Sequence, residues 1–456
     1  MKNFFISAGL VALGAAACDS ALADDATGPK YWSVGATLRG FYDDNYAVSG
    51  STKKGSFGLE FLPTISTHVP LQQTDLGLRY TYGLYYYEDR DNVNGGPVDQ
   101  THDVDLWLDH AFNERWHGRA TDTFVSAQEP ELLSGPTPTT PTPTPYRVNG
   151  DNIANYAALT LDTTWTRLLS TTLTYNNGFY DYQNSGAVFN NNGNLVPPGP
   201  TFKNGNNPGA SFEGLLGRDE ESGSLDFKWN VLPETTAFVG YQLAWVDYLG
   251  NEPITYYTVI HGAPPAVSYT YDVYHSSDRN NVTQTGYLGL SQAFSPDLSA
   301  TIRVGASYVD DYADPLFKTT TWTPYVDLSA SYTYLPGDYV QFGFTHETGA
   351  SDQVTPDSSG HITQFSESSV AYLNVTYNIT AKLLATGIGR VQISSYNGGA
   401  ANNDSTTDYG LGFNLSYQIN HHFSTDLGYN YDDVVSDIAG YGYSRNRVYL
   451  GVTATY

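Results

Sequence analysis

The chain has 456 residues, 14% of them aromatic and only 15% charged, against about 25% charged residues in an average soluble domain. A formal charge of −26 excludes the basic footprint of a nucleic-acid binder. A mean hydropathy of −0.35 excludes a bundle of membrane-crossing helices and leaves room for a barrel, in which every second residue faces lipid and the rest face water.

In chain order, the N-terminus reads as a secretory signal: Lys2 supplies the charge, Phe4 to Ala17 the apolar run, and Ala21-Leu22-Ala23 a cleavage site before Asp24. Residues 1–23 are expected to be removed and 24–456 to form one domain. The single cysteine, Cys18, falls in the removed part, so the exported chain has no disulfide.

From Trp32 to Tyr42 the residues Trp32, Val34, Ala36, Leu38 and Tyr42 share one face, with Ser33, Gly35, Thr37 and Arg39 between them. The same period of two returns at Leu76–Tyr86, Val104–Leu108, Leu159–Trp165, Ile302–Tyr308, Leu373–Ile379 and Tyr409–Tyr417. Short connections at 71–73, 113–115, 232–234, 295–297, 335–338 and 420–422 alternate with long ones near 45–55, 89–101, 128–151, 183–218, 250–281, 349–361 and 394–404. This sorting predicts an all-β protein: a single transmembrane antiparallel up-and-down β-barrel of about 18 strands (16–18), with short periplasmic turns and long extracellular loops.

Aromatic residues followed by acids recur at strand ends, as in Phe41-Tyr42-Asp43-Asp44-Asn45, Tyr87-Glu88-Asp89, Tyr308-Val309-Asp310-Asp311 and Tyr431-Asp432-Asp433. They read as an aromatic girdle with a solvated acidic rim. Parity turns Arg39, Arg79, Asp103, Asp105, Asp109, Arg303, Arg445 and Arg447 inward. These charges could form opposed basic and acidic walls, which would orient polar solutes, or could pair with one another; parity leaves both open. Tyr85, Tyr156, Tyr325, Tyr372 and Tyr449 also have inward parity. The Pro/Thr run from Gly135 to Pro145 reads as an exposed polyproline II stalk, and 184–218 as an Asn/Gly-rich loop.

The last segment, Tyr449 to Tyr456, ends on an aromatic after alternating apolar residues. Gly451, Val452, Ala454 and Tyr456 resemble the signal by which the barrel assembly machinery takes up a strand edge. His421-His422 falls in a turn with no acidic or cysteine partner nearby, so no metal site is expected. No catalytic set of side chains emerges, and the expectation is a non-enzyme without cofactor.

The Asp43-Asp44-Asn45 segment, the Phe61-Leu62-Pro63 step and the tyrosine-rich Tyr80–Glu88 strand resemble the putative β-barrel porin 2 family of bacterial outer-membrane barrels. The resemblance implies an outer-membrane barrel of porin type and supplies no catalytic residues. The expected partners are outer-membrane lipids, lipopolysaccharide and the assembly machinery; a homo-oligomer is left open. The leading functional expectation is a channel for passive diffusion of small polar solutes. The rivals are a structural or adhesive barrel with binding loops, and an exopolysaccharide export barrel.

Overall fold

The computed structural model describes residues 30–50, 52–90, 96–127, 152–182, 188–189, 195–196, 212–261, 268–438 and 441–456. The expected signal sequence, Cys18, the Pro/Thr run and most of 184–218 lie outside the described residues.

The first half of the wall is β1 (Trp32–Asp43), β2 (Ser56–Pro70), β3 (Thr74–Tyr87), β4 (Val98–Ala111), β5 (Trp116–Ala127), β6 (Asn152–Thr164) and β7 (Leu169–Tyr182). Two-residue strands β8 (Val188–Phe189) and β9 (Leu195–Val196) pair with each other, and a short helix α1 (Phe212–Leu216) follows. The wall resumes with β10 (Arg218–Leu232) and β11 (Thr235–Tyr248). A separate hairpin, β12 (Pro253–His261) and β13 (Ser268–His275), precedes β14 (Asn281–Ser295), β15 (Leu298–Asp310), β16 (Thr320–Leu335) and β17 (Asp338–Ala350). The wall ends with β18 (Thr363–Thr380), β19 (Leu383–Gly398), β20 (Ser405–Gln418), β21 (Phe423–Ser436) and β22 (Tyr443–Thr455).

Each wall strand pairs antiparallel with its chain neighbours, and β1 pairs with β22 from Gly35↔Thr455 to Asp43↔Arg447. The result is a closed 18-stranded barrel. Closure leaves no free strand edge, so each strand's backbone groups find partners within the wall, as lipid demands. The outer face is apolar: Leu38, Phe57, Leu288 and Leu450 are all more than half exposed, and Trp322 is 71% exposed. That exposure would be costly in water and is what hydrocarbon accepts. No helix among the described residues is long and apolar enough to cross a membrane.

All six short connections read from the sequence are turns here, and two more appear, at 165–168 and 381–382. In both, a threonine makes the bend. Thr166 Oγ1 accepts from the N–H groups of Leu168 and Leu169 at 3.2 and 3.0 Å, and Thr380 Oγ1 from Lys382 and Leu383 at 3.2 and 3.0 Å. Trp165 therefore belongs to a turn and not to the stripe of Leu159 and Leu161; its ring meets Trp116 edge-on at 5.8 Å. At the opposite end the longer connections include two that the sequence reading does not separate, 311–319 and 437–442.

Candidate functional site

The inward face lines the interior of the barrel. On β1 the inward set includes Thr37, Arg39, Phe41 and Asp43, because Leu38 and Tyr42 take the lipid side. Arg39 donates from Nε to Asp426 Oδ2 at 2.7 Å, and its Nη1 lies 3.6 Å from Glu60 Oε2. Its guanidinium sits over the Tyr449 ring at 4.7 Å. Arg447 reaches Glu60 from the other side and lies over Phe41 at 4.3 Å. Arg445 donates from Nε to Asp43 Oδ2 at 2.7 Å, with both side chains almost wholly buried. This cluster straddles the closing seam. Breaking one partner of such a buried pair costs about 3–5 kcal/mol, because the other charge is left uncompensated.

Gly451 faces Arg39 across that seam. A Cβ there would overlap Arg39 Cγ and come within 2.9 Å of Asp426 Oδ1. Gly451 thus has a local reason: it is the bed on which Arg39 lies. Val452 and Ala454 continue the outer stripe. Tyr456 exchanges backbone hydrogen bonds with Val34 at 2.8 and 3.0 Å, and its ring takes Lys30 Nζ at 4.2 Å.

The remaining inward charges are paired locally. Arg79 donates from Nε to Asp105 at 2.9 Å, Arg119 lies 3.0 Å from Asp109, and Arg303 lies 2.6 Å from Asp327. Asp103 shares the inward face of β4 with Asp105 and Asp109. Basic and acidic walls are therefore not separated across the lumen; each of these cations lies beside its anion on the same or a neighbouring strand, or across the seam. Inward acids still outnumber inward cations on the described strands. Glu347 lies within electrostatic reach of Asp327 and of Glu220 on β10.

The aromatic–acid repeats depart in part from the solvated rim expected of them: Glu88 and Asp89 are exposed, but others are buried. Asp43 and Asn45 are fully buried, and Asp44 accepts from Asn446 N and Nδ2 at 2.6 and 2.7 Å. Asn45 Nδ2 donates to Ser444 O at 3.0 Å. The Asp-Asp-Asn motif thus stitches the end of β1 to the start of β22. Asp311 and Asp432 are buried as well, and burial pushes the Asp311 carboxyl up to about 6. Acids beside a seam or a packed loop trade water for hydrogen-bond donors.

Inward aromatic rings lie flat against the wall. Phe41, Trp107, Tyr287, Tyr372 and Tyr449 each cover the glycine directly opposite: Gly58, Gly77, Gly240, Gly343 and Gly428. A Cβ on any of these glycines would run into the ring. The rings therefore cover bare backbone and do not project into the lumen.

At the long-loop end, segments far apart in the chain meet over the mouth. Ile254, Tyr274 and Ile362 form a buried cluster with Leu215, Tyr257 and Val354 against it. Tyr274 Oη donates to Gly360 O at 2.6 Å. Arg279, fully buried, donates to Ser351 O at 2.6 Å, Leu215 O at 2.7 Å and Gly214 O at 3.3 Å, and stacks on Tyr248 at 3.8 Å. Burial lowers its pKa from the usual guanidinium value. Beside it, burial pushes the Asp352 carboxyl up to about 6, and Tyr441 Oη donates to that carboxyl at 2.9 Å. Loops anchored after β7, β11, β17 and β21 thus share one roof.

Sequence reasoning missed Glu60, Asp426, Arg279 and Asp352. Glu60 was within reach of the parity rule, since it alternates with Phe57, Leu59 and Phe61. His422, in its turn, stacks on Tyr456, and no cluster of metal-ligating side chains occurs among the described residues.

A closed barrel, apolar outside and polar inside, invites comparison with channel families. Residues 269–456 match the model of the family described as Putative beta-barrel porin 2. The match begins in β13 and takes in the wall from β14 to the closing strand, whereas the motifs that carry the resemblance in the sequence lie in the first 100 residues or so. The match covers less than half of the chain; the closed register and the apolar exterior are what make this a transmembrane β-barrel. No curated protein matches the chain. Among solved structures, OccAB4 of Acinetobacter baumannii shares 10% identity at a TM-score of 0.40, covering 94% of this chain and 99% of that one. The outer membrane protein opdK of Pseudomonas aeruginosa shares 10% at 0.42, over 93% and 99%. A BenF-like porin of Pseudomonas fluorescens Pf-5 gives 10% at 0.42, over 93% and 99%. At these scores the likeness carries no argument about what passes through the barrel.

Proposed function

We propose that the protein is an outer-membrane channel through which small polar solutes diffuse passively. The observation that carries the reading is the inside-out wall: a continuous polar, charged lumen face within an apolar exterior, closed by a complete hydrogen-bond register. A barrel of this strand number can enclose an aqueous lumen. The pairing of wall charges supports it further, since ion pairs lying along the wall leave the axis to water and solute. The excess of inward carboxylates favours cations over anions, and the packed loops favour a channel that opens and closes.

The test is single-channel recording in a planar bilayer under a KCl gradient. An ohmic conductance with a reversal potential on the cation side is expected. A folded barrel that carries no current overturns the diffusion channel.

A further inference from the structure

On the outer face Asp122 places an acid where hydrocarbon should be, whereas the other acid of its cross-strand row, Glu221, lies near the long-loop end of β10. A cross-strand row of directly paired residues runs Trp32, Thr67, Leu78, Leu106, Asp122, Ala157, Asn177, Glu221, Trp245. Paired residues share a face, and Trp32, Leu78 and Leu106 are exposed on the outside. Wall strands tilt, so such a row climbs the barrel by about 3 Å per strand. It starts at Trp32, at the short-turn end of β1, and finishes at Trp245, near the long-loop end of β11. Asp122 is four strands along it, about 12 Å up an apolar band about 25 Å tall. The carboxylate therefore faces the bilayer near mid-depth.

Its one partner among the described residues is Asn155, whose Nδ2 donates to Asp122 Oδ1 at 2.9 Å. The other carboxylate oxygen has none, and the second amide hydrogen has only a long contact of 3.4 Å to Thr123 O. Acyl chains offer no donors at this depth, and lipid headgroups lie above and below it. Around the pair the outer surface is small, with Gly118 and Ala120 on β5 and Ala157 on β6, bordered by Leu106 and Leu159. Small residues let a second backbone come close in a membrane.

We infer that the outer face of β4–β6, around Asp122 and Asn155, is an interface with a second copy of this chain. The argument for a copy is complementarity. The carboxylate and amide meet at one height, so a two-fold axis along the membrane normal brings each Asn155 amide to the free oxygen of the other copy's Asp122. The inference rests on the bilayer placement and not on the channel.

The experiment is disulfide trapping in outer-membrane vesicles of cells expressing the full-length protein. Ala157→Cys is expected to give a dimer under oxidation, while Leu411→Cys, on the far wall, stays monomeric. Asp122→Leu in the Ala157→Cys background should cut the trapped dimer at least tenfold, with the folded, heat-modifiable band retained. A monomeric Ala157→Cys barrel, equal trapping at residue 411, or an adduct whose mass fits lipopolysaccharide or another protein overturns the interface. Conductance does not enter this readout, so failure of the channel reading and failure of the interface are told apart.

Discussion

Arg279→Met removes the pin of the loop roof and leaves the barrel wall untouched. The guanidinium holds three carbonyls, on Ser351, Leu215 and Gly214, and stacks on Tyr248. Each carbonyl left buried without a donor costs about 1–3 kcal/mol, and the lost stacking adds about 2 kcal/mol in a desolvated site. Removing a buried charge returns several kcal/mol of desolvation, which offsets much of that sum. A net shift of about 2–4 kcal/mol toward the open roof follows, roughly 30- to 700-fold in population. Two assays read it: closed dwell times in single-channel recordings, and protease cleavage within 351–362 on intact vesicles. Shorter closures and faster cleavage are expected. Unchanged closures together with unchanged cleavage would refute the claim that this arginine holds the roof.

Acid should tighten the same roof. Burial raises the Asp352 carboxyl from 3.8 to about 6, so the closed roof takes up a proton that an open, hydrated loop does not. Below about pH 4 both forms are protonated; as pH rises through 6 the closed form loses up to about 3 kcal/mol. Longer closures at pH 5 than at pH 7.5 are expected, and Asp352→Asn should erase the difference. At the seam, Glu60→Gln strips Arg447 of its anion and should cost about 3 kcal/mol, read as a lower melting temperature of the heat-modifiable band; adding Arg447→Met should restore part of it. Gly451→Val puts a side chain where Arg39 lies, and a severalfold lower yield of assembled barrel with normal export is expected, scored by the folded fraction in outer-membrane preparations.

The wall was legible because alternation is local: a strand such as Leu76–Tyr86 announces both faces within eleven residues. Most turns were legible too, where Pro, Gly or Asn made them. Thr166 and Thr380 were not, since a hydroxyl that caps two N–H groups leaves no compositional mark. The inward arginines followed from parity, but their partners did not, because pairing depends on register between strands as distant as β1 and β21. The Asp43-Asp44-Asn45 motif carried a misleading signal: hydrophilic residues past a strand end look solvated until the first and last strands meet. The roof was illegible altogether. Arg279, Ser351 and Tyr441 come from three separate loops and obey no period.

The aromatic rings that lie across glycines have a consequence for evolution. In a barrel, width is ordinarily altered by adding or losing a hairpin, a change of two strands at once. Here Tyr372 is held aside only because residue 343 has no side chain, and the same is true of Trp107 beside Gly77. One nucleotide change at such a codon would swing a ring into the water path while lipid contacts, strand number and register stayed as they are. Permeability can then drift in small steps, one ring at a time, independently of the selection that keeps the exterior fit for its membrane.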